Sequence, residues 1–146
     1  IIIGGKPYRG AGENAAEFGH MKLSDDGPIC NCGDRGCLEA YASGTSIARI
    51  AKEGLDAHPR SKLAGVKDLT AEAVAAAAAD GDEYAAEVWC TAMHHLGLGV
   101  ANVVNALNPR RVILGGGVAR AGDMLFDPVR EVVAKRAMKA PSRIAM

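Results

Sequence analysis

The sequence has 146 residues, 17 basic and 17 acidic side chains, and 49% hydrophobic content. A chain of this length supports one core, burying about 68% of the unfolded surface, and it contains no run approaching the ~18 apolar residues of a membrane span. Balanced charge removes the long-range attraction on which a dedicated nucleic-acid or acidic-membrane binder depends, and 23% charged residues at zero net charge argue against disorder.

The chain opens Ile1-Ile2-Ile3, with neither an initiating Met nor a signal-peptide pattern, and ends Ile144-Ala145-Met146 in what reads as the start of a strand. It is therefore expected to be a segment of something longer. Ile1 to Ile3, then Gly4-Gly5 and Lys6-Pro7-Tyr8, predict a strand, a tight turn and a return strand. Residues 10–37 hold seven glycines or prolines and show neither helical nor strand period, so a long irregular stretch is expected. Such loops are uncommon in a compact domain unless they are functional or pinned by something other than a core. From Leu38 the apolar spacing becomes helical, with a break at Ser43-Gly44 and a stop at Pro59. Thr70 caps a short alanine-rich helix ending near Asp80-Gly81. Asp82 begins the longest helix, through Trp89, Met93 and Val100 to Leu107, which Pro109 terminates. Arg111 to Leu114 predicts a short strand running into Gly115-Gly116-Gly117. A further helix follows Gly122, with Pro141 expected to end it. This alternation predicts an α/β layer fold.

Three of the four cysteines lie together in Cys30-Asn31-Cys32-Gly33-Asp34-Arg35-Gly36-Cys37. Disulfides are the weakest explanation, because three cysteines cannot all pair locally and no secretory signal is visible. A reactive thiol needs only one cysteine with a base beside it. A zinc ion needs three or four soft ligands within ~2.3 Å, and Gly33 and Gly36 let a short loop fold back around it. The residues favour zinc, with unmetallated or redox-active thiols as the alternatives. His20 is the nearest upstream fourth ligand; His58, His94 and His95 are worse placed. A closed Cys3His site leaves no position for water, so the metal would be structural. Cys90, beside Trp89 in the long helix, reads as a small buried apolar residue.

Glu13, Glu17, His20 and Glu39 flank the same loop. A carboxylate can accept from two hydroxyls at once, and an imidazole nitrogen can serve another. Two such carboxylates on a rigid loop suit a polyol or sugar. The competing explanation is solvated glutamates, with Glu39 favouring the positive end of a helix. The glycines after Leu114 stand where open α/β sheets bind ligands, or form only a tight strand-to-helix turn. They do not make G-x-G-x-x-G, since Arg120 occupies the third glycine position, nor a Walker loop.

These pieces, in this order, resemble the C-terminal lobe of the ROK family (repressors, open reading frames and kinases of sugars). The resemblance rests on Glu17-Phe18-Gly19-His20, on the run from Cys30 to Glu39, on Leu114-Gly115-Gly116-Gly117-Val118, and on Gly5 to Glu13 leading into the histidine motif. Tyr41-Ala42-Ser43-Gly44 resembles the bacterial glucokinase branch. The resemblance covers essentially residues 1–146. It implies an α/β actin-like ATPase (ribonuclease H-like) fold, with residues 1–146 as the C-terminal lobe carrying a zinc-stapled loop. It implies that His20, Cys30, Cys32 and Cys37 hold structural Zn²⁺, and that Glu17, His20 and Glu39 bind sugar hydroxyls, His20 serving metal and substrate with different nitrogens. Gly115, Gly116 and Gly117 would line the nucleotide side.

The implied activity is cytoplasmic phosphorylation of glucose by ATP with Mg²⁺, in a homo-oligomer that binds neither nucleic acid nor membrane. The implied phosphate loops and general-base Asp belong to an N-terminal lobe and match no residues here, so no catalytic base is assigned. The chain alone is accordingly expected not to phosphorylate sugar. The rival expectations are the sugar-sensing domain of a ROK repressor and a zinc-stapled binding module without catalysis. The sequence does not choose among hexoses, nor between ATP and polyphosphate as donor.

Overall fold

A computed structural model describes residues 1–138. The first strands are short: β1, Ile2–Ile3, pairs antiparallel with β2, Lys6–Pro7, in the register Ile2 to Pro7 and Ile3 to Lys6. Gly4 and Gly5 turn the hairpin with φ of +58° and +78°, the pair of positive angles that a two-residue hairpin loop of the common type requires. Both strands are exposed. Residues 10–37 are irregular, as the missing periodicity predicts, apart from a 3-10 turn at Phe18–His20.

The helices follow. Helix α1 is Leu38–Ala42 and α2 is Gly44–Glu53. The expected break falls at Ser43, whose extended backbone ends α1 while its Oγ accepts from Ser46 N at 3.2 Å to cap α2. Helix α2 stops well before Pro59. The Tyr84 hydroxyl donates to the carbonyls of Ile50 and Ala51, at 3.2 and 2.8 Å, and thereby satisfies acceptors in its last turn. His58 then stacks on Tyr84 with ring centroids 4.0 Å apart.

Helix α3 is Ala71–Ala79, capped by Thr70, and α4 is Glu83–Leu107, capped by Asp82. Asn108 ends α4 in the left-handed conformation, φ +42°, one residue before Pro109. Helix α5 is Asp123–Arg136. It contains Pro128, which cannot donate to the carbonyl of Met124. The Trp89 indole N–H of α4 takes that carbonyl instead, at 3.0 Å. The expected stop at Pro141 and strand at Ile144–Met146 lie outside the described residues.

Helix α4 is the axis of the core. Ala85, Val88, Trp89, Met93, Val100 and Val104 are buried along it, against Val74 of α3 and Leu125, Val129 and Val133 of α5. Two glycines of α4 set how closely its neighbours approach. A Cβ on Gly97 would lie 2.5 Å from Val132 Cβ, and one on Gly99 would lie 2.4 Å from a methyl of Leu38. Gly99 thus brings α1, and the irregular segment before it, onto the helical core.

One expected element is corrected. Among the described residues, Arg111 to Leu114 forms no strand. Its side chains do alternate, with Val112 and Leu114 partly buried against the core and Ile113 82% exposed. Arg111 itself forms a β-bridge, and the apolar pattern continues from it as a half-buried extended segment. The described residues show helices with one two-stranded hairpin.

Candidate metal and sugar site

The segment from Met21 to Cys37 doubles back on itself. Lys22 and Cys37 pair across an isolated antiparallel bridge, as do Ile29 and Arg35. Cys30 N donates to Asp34 O at 2.7 Å, Leu23 N to Gly36 O at 2.7 Å, and Leu38 N to Met21 O at 2.9 Å. Gly36 has a φ of +68°, and a Cβ there would fall 1.6 Å from the Ser24 carbonyl oxygen. The two arms can close only because that residue has no side chain.

Closure brings His20, Cys30, Cys32 and Cys37 together, with one potential ligand atom from each lying within 4.8 Å of all the others. His20 Nδ1 is 3.8 Å from Cys30 Sγ, and Cys32 Sγ is 3.7 Å from Cys37 Sγ. A tetrahedron with ~2.3 Å arms has edges of about 3.8 Å, so the donor set is sized for a zinc-like ion. No disulfide forms among the four cysteines. Cys30 and Cys37 are buried and Cys32 is exposed. The thiols do not share one electrostatic environment. Hydrogen bonding from the Asp34 backbone pulls Cys32 below its ordinary value. The Cys32 backbone acts the same way on Cys30, but burial and the neighbouring thiols outweigh it and push Cys30 up. Three sulfurs this close cannot all ionise without a cation between them. The residues therefore fit a bound metal, through soft donors at tetrahedral spacing.

The carboxylates gather at the same end. Glu17 and His20 flank the 3-10 turn, with Glu17 Oε2 4.0 Å from His20 Nε2. The imidazole thus turns Nδ1 to the sulfurs and Nε2 away from them, and its side chain is 39% exposed. Glu39, in the first turn of α1, lies over Gly19, where a Cβ would be 3.4 Å from Glu39 Oε2. The structure therefore brings together Glu17, His20 and Glu39. Glu13, which the sequence grouped with them, is exposed at a positive φ of +61°. A depression of about 70 Å³ is bordered by Cys30, Glu39, Ser46 and Arg49.

Gly115, Gly116 and Gly117 belong to a different surface. They lead into a 3-10 turn at Gly117–Ala121, with Gly116 at φ +83°. A Cβ on Gly117 would lie 2.9 Å from Glu72 Oε1, and one on Gly44, at the start of α2, would lie 3.4 Å from Val118 Cγ2. A hollow of about 90 Å³ there is lined by Ala71, Glu72, Trp89, Gly117, Val118 and Arg120. Cys90 is exposed, against the expectation of burial, and stands outside the buried α4 positions Val88, Trp89, Ala92 and Met93. The sequence reading also missed Lys22, whose ammonium reaches Cys37 Sγ at 3.2 Å. Only its place opposite Cys37 in the folded loop marks it out.

The donor set is one that could hold a metal ion, on a lobe built mainly of helices. The ROK family pattern matches residues 1–146, and the chain belongs to that family. It is 43% identical over 136 residues to the glucokinase of Halalkalibacterium halodurans, covering 90% of this chain and 41% of that protein. It superposes with a TM-score of 0.85 on a ROK family glucokinase from Streptomyces griseus solved with glucose and AMPPNP, at 34% identity, covering 98% of this chain and 48% of that one. A ROK family transcriptional regulator, a homologue of the Escherichia coli MLC protein, matches with a TM-score of 0.81 at 32% identity, over 92% of this chain and 34% of that one. The chain thus spans less than half the length of these relatives. Among the described residues no helix is long and apolar enough to cross a membrane.

Proposed function

We propose that this chain is the sugar-binding, zinc-stapled C-terminal lobe of a glucokinase with the actin-like ATPase fold, acting in the cytoplasm on glucose and Mg-ATP. One observation carries the reading: the Glu39 carboxylate lies over Gly19, in the same turn whose Glu17 carboxylate is 4.0 Å from His20 Nε2. Carboxylates held this way can each accept from two sugar hydroxyls, and His20 Nε2 is free to take part because Nδ1 faces the sulfurs. The ion would be held by His20, Cys30, Cys32 and Cys37. When bound it supplies a fixed charge that locks the loop and the imidazole tautomer, without reaction chemistry. Gly115, Gly116 and Gly117 would border the nucleotide, with no side chains to obstruct its approach. Phosphoryl transfer depends on positioning and on charge stabilisation from both sides of a cleft, so the chain supplies binding groups and the general base lies outside it.

The test uses the intact protein with glucose and Mg-ATP. Glu39→Gln keeps the shape and removes one charge-assisted hydrogen bond of about 1.5–3 kcal/mol. It is expected to weaken glucose binding roughly ten- to a hundredfold, read by titration calorimetry, while turnover yields glucose 6-phosphate. Glucose affinity unchanged in Glu39→Gln would remove the sugar role. The second reading, a sugar-sensing domain of a repressor, is favoured by the likeness to the MLC-type regulator. Glucose binding with no ATP turnover in the intact protein selects it.

A further inference from the structure

Lys22 lies beside the candidate metal cluster without belonging to it. An ammonium carries three N–H donors and no acceptor, and Lys22 Nζ has three partners. Asp34 Oδ2 is at 2.5 Å, the Arg35 carbonyl at 2.9 Å and Cys37 Sγ at 3.2 Å. Its backbone also bridges Cys37 from the opposite arm of the loop. Two acceptors on the turn between Cys32 and Cys37 therefore fix the head of the side chain, and the third N–H is aimed at sulfur. An exposed Lys–Asp pair alone contributes little. The sulfur contact gives this one a specific consequence.

We propose that Lys22 is a positioning residue for the metal centre, donating an N–H···S hydrogen bond to the Cys37 thiolate and tying that thiolate to the Asp34–Arg35 turn. The proposal rests on the zinc reading given above. A divalent ion with three thiolates and a neutral imidazole keeps one net negative charge, concentrated on sulfur. An N–H donor withdraws density from the sulfur lone pairs, which lowers their attack on electrophiles and restrains the ligand from swinging off the metal. Outer-shell partners of this kind typically govern metal affinity by 10- to 100-fold.

The experiment loads the intact protein with cobalt(II) in place of zinc. Thiolate-to-cobalt charge transfer then reports the energy of the sulfur lone pairs. Lys22→Met is expected to move that band to lower energy and to raise metal loss to a competing chelator about 10- to 100-fold. Lys22→Arg, which keeps a charged donor, is expected to restore the native band. Asp34→Asn, which loosens the anchor but leaves the N–H on sulfur, should leave the band in place, so a shift cannot be ascribed to a slack loop. A native band and native metal retention in Lys22→Met overturn the proposal. Should Lys22→Met not fold, Lys22→Gln replaces it: a shifted band supports the proposal and a native band overturns it. Failure of the unsubstituted protein to take up cobalt with any thiolate band overturns the metal reading and the proposal together, whereas an unshifted band in a loaded variant overturns the proposal alone.

Discussion

The segment from Gly10 to Cys37 and the helices α2 to α5 are ordered by different forces. Among the described residues the helical part buries seventeen apolar residues in one cluster, centred on α4. The irregular segment shares a cluster of three, Cys30, Cys37 and Ala40, two of which are candidate metal ligands. Hydrophobic burial is therefore large in the helices and small in the loop, where backbone hydrogen bonds take over. The contrast teaches where each kind of damage should be felt. The two parts meet at α1, whose Leu38 packs on Gly99 of α4 while Glu39 faces Gly19.

Metal removal is the strongest way to break that contrast. Structural zinc sites contribute about 10–16 kcal/mol to the fold around them. Stripping the intact protein with a strong chelator should therefore abolish hydrogen-exchange protection at the amides of Leu23, Cys30 and Gly36, while Val100 and Val104 in α4 stay protected. Equal loss in both regions would show that they are one cooperative unit. The converse substitution comes next. Met93 is fully buried in α4, and Met93→Ala should cost about 2–5 kcal/mol, seen as a lower denaturant midpoint. Metal stoichiometry in native mass spectrometry should not change.

The smallest effect sharpens the helical side. Asp82 is buried, accepts from Ala85 N at 2.7 Å as the cap of α4, and also accepts from Lys62 N at 2.5 Å. Burial alone would raise its pKa, but the hydrogen bonds from the backbones of Ala85 and Lys62 outweigh it and hold the carboxyl below the usual range. A depressed native pKa means stabilisation that is present above the unfolded value of about 3.9 and lost as pH falls through the lower native value. Asp82→Ala should cost about 0.5–2 kcal/mol at neutral pH. Acid titration of Asp82→Asn should show a smaller drop in stability below about pH 4 than the native protein. A parallel acid curve would mean that another carboxylate governs the loss.

Particular elements show how far the sequence could be read. The break at Ser43-Gly44, the cap at Thr70, the start at Asp82 and the stop at Pro109 are local chemistry, so helix positions followed from them. The C-terminal end of α2 and the tolerance of Pro128 were not legible, because both depend on side chains over thirty residues away: Tyr84 on the carbonyls of α2, and Trp89 on the carbonyl that Pro128 leaves free. The grouping of His20 with three cysteines was legible because ligand chemistry restricts the choice to few residue types. Lys22 was not, since a lysine looks the same whether it faces water or a thiolate.

By itself the sequence determined the helical periods and the hairpin turn, which depend on neighbours within a few positions, and it marked the candidate soft ligands by residue type. Only the tertiary structure decided that, among the described residues, Arg111 to Leu114 forms no strand beyond the bridge at Arg111, that Glu39 meets Gly19, and that an ammonium points at Cys37. Those outcomes depend on which distant surfaces come to rest against each other. That is set by the sum of packing and hydrogen bonding over the whole fold, and no short stretch of residues encodes it.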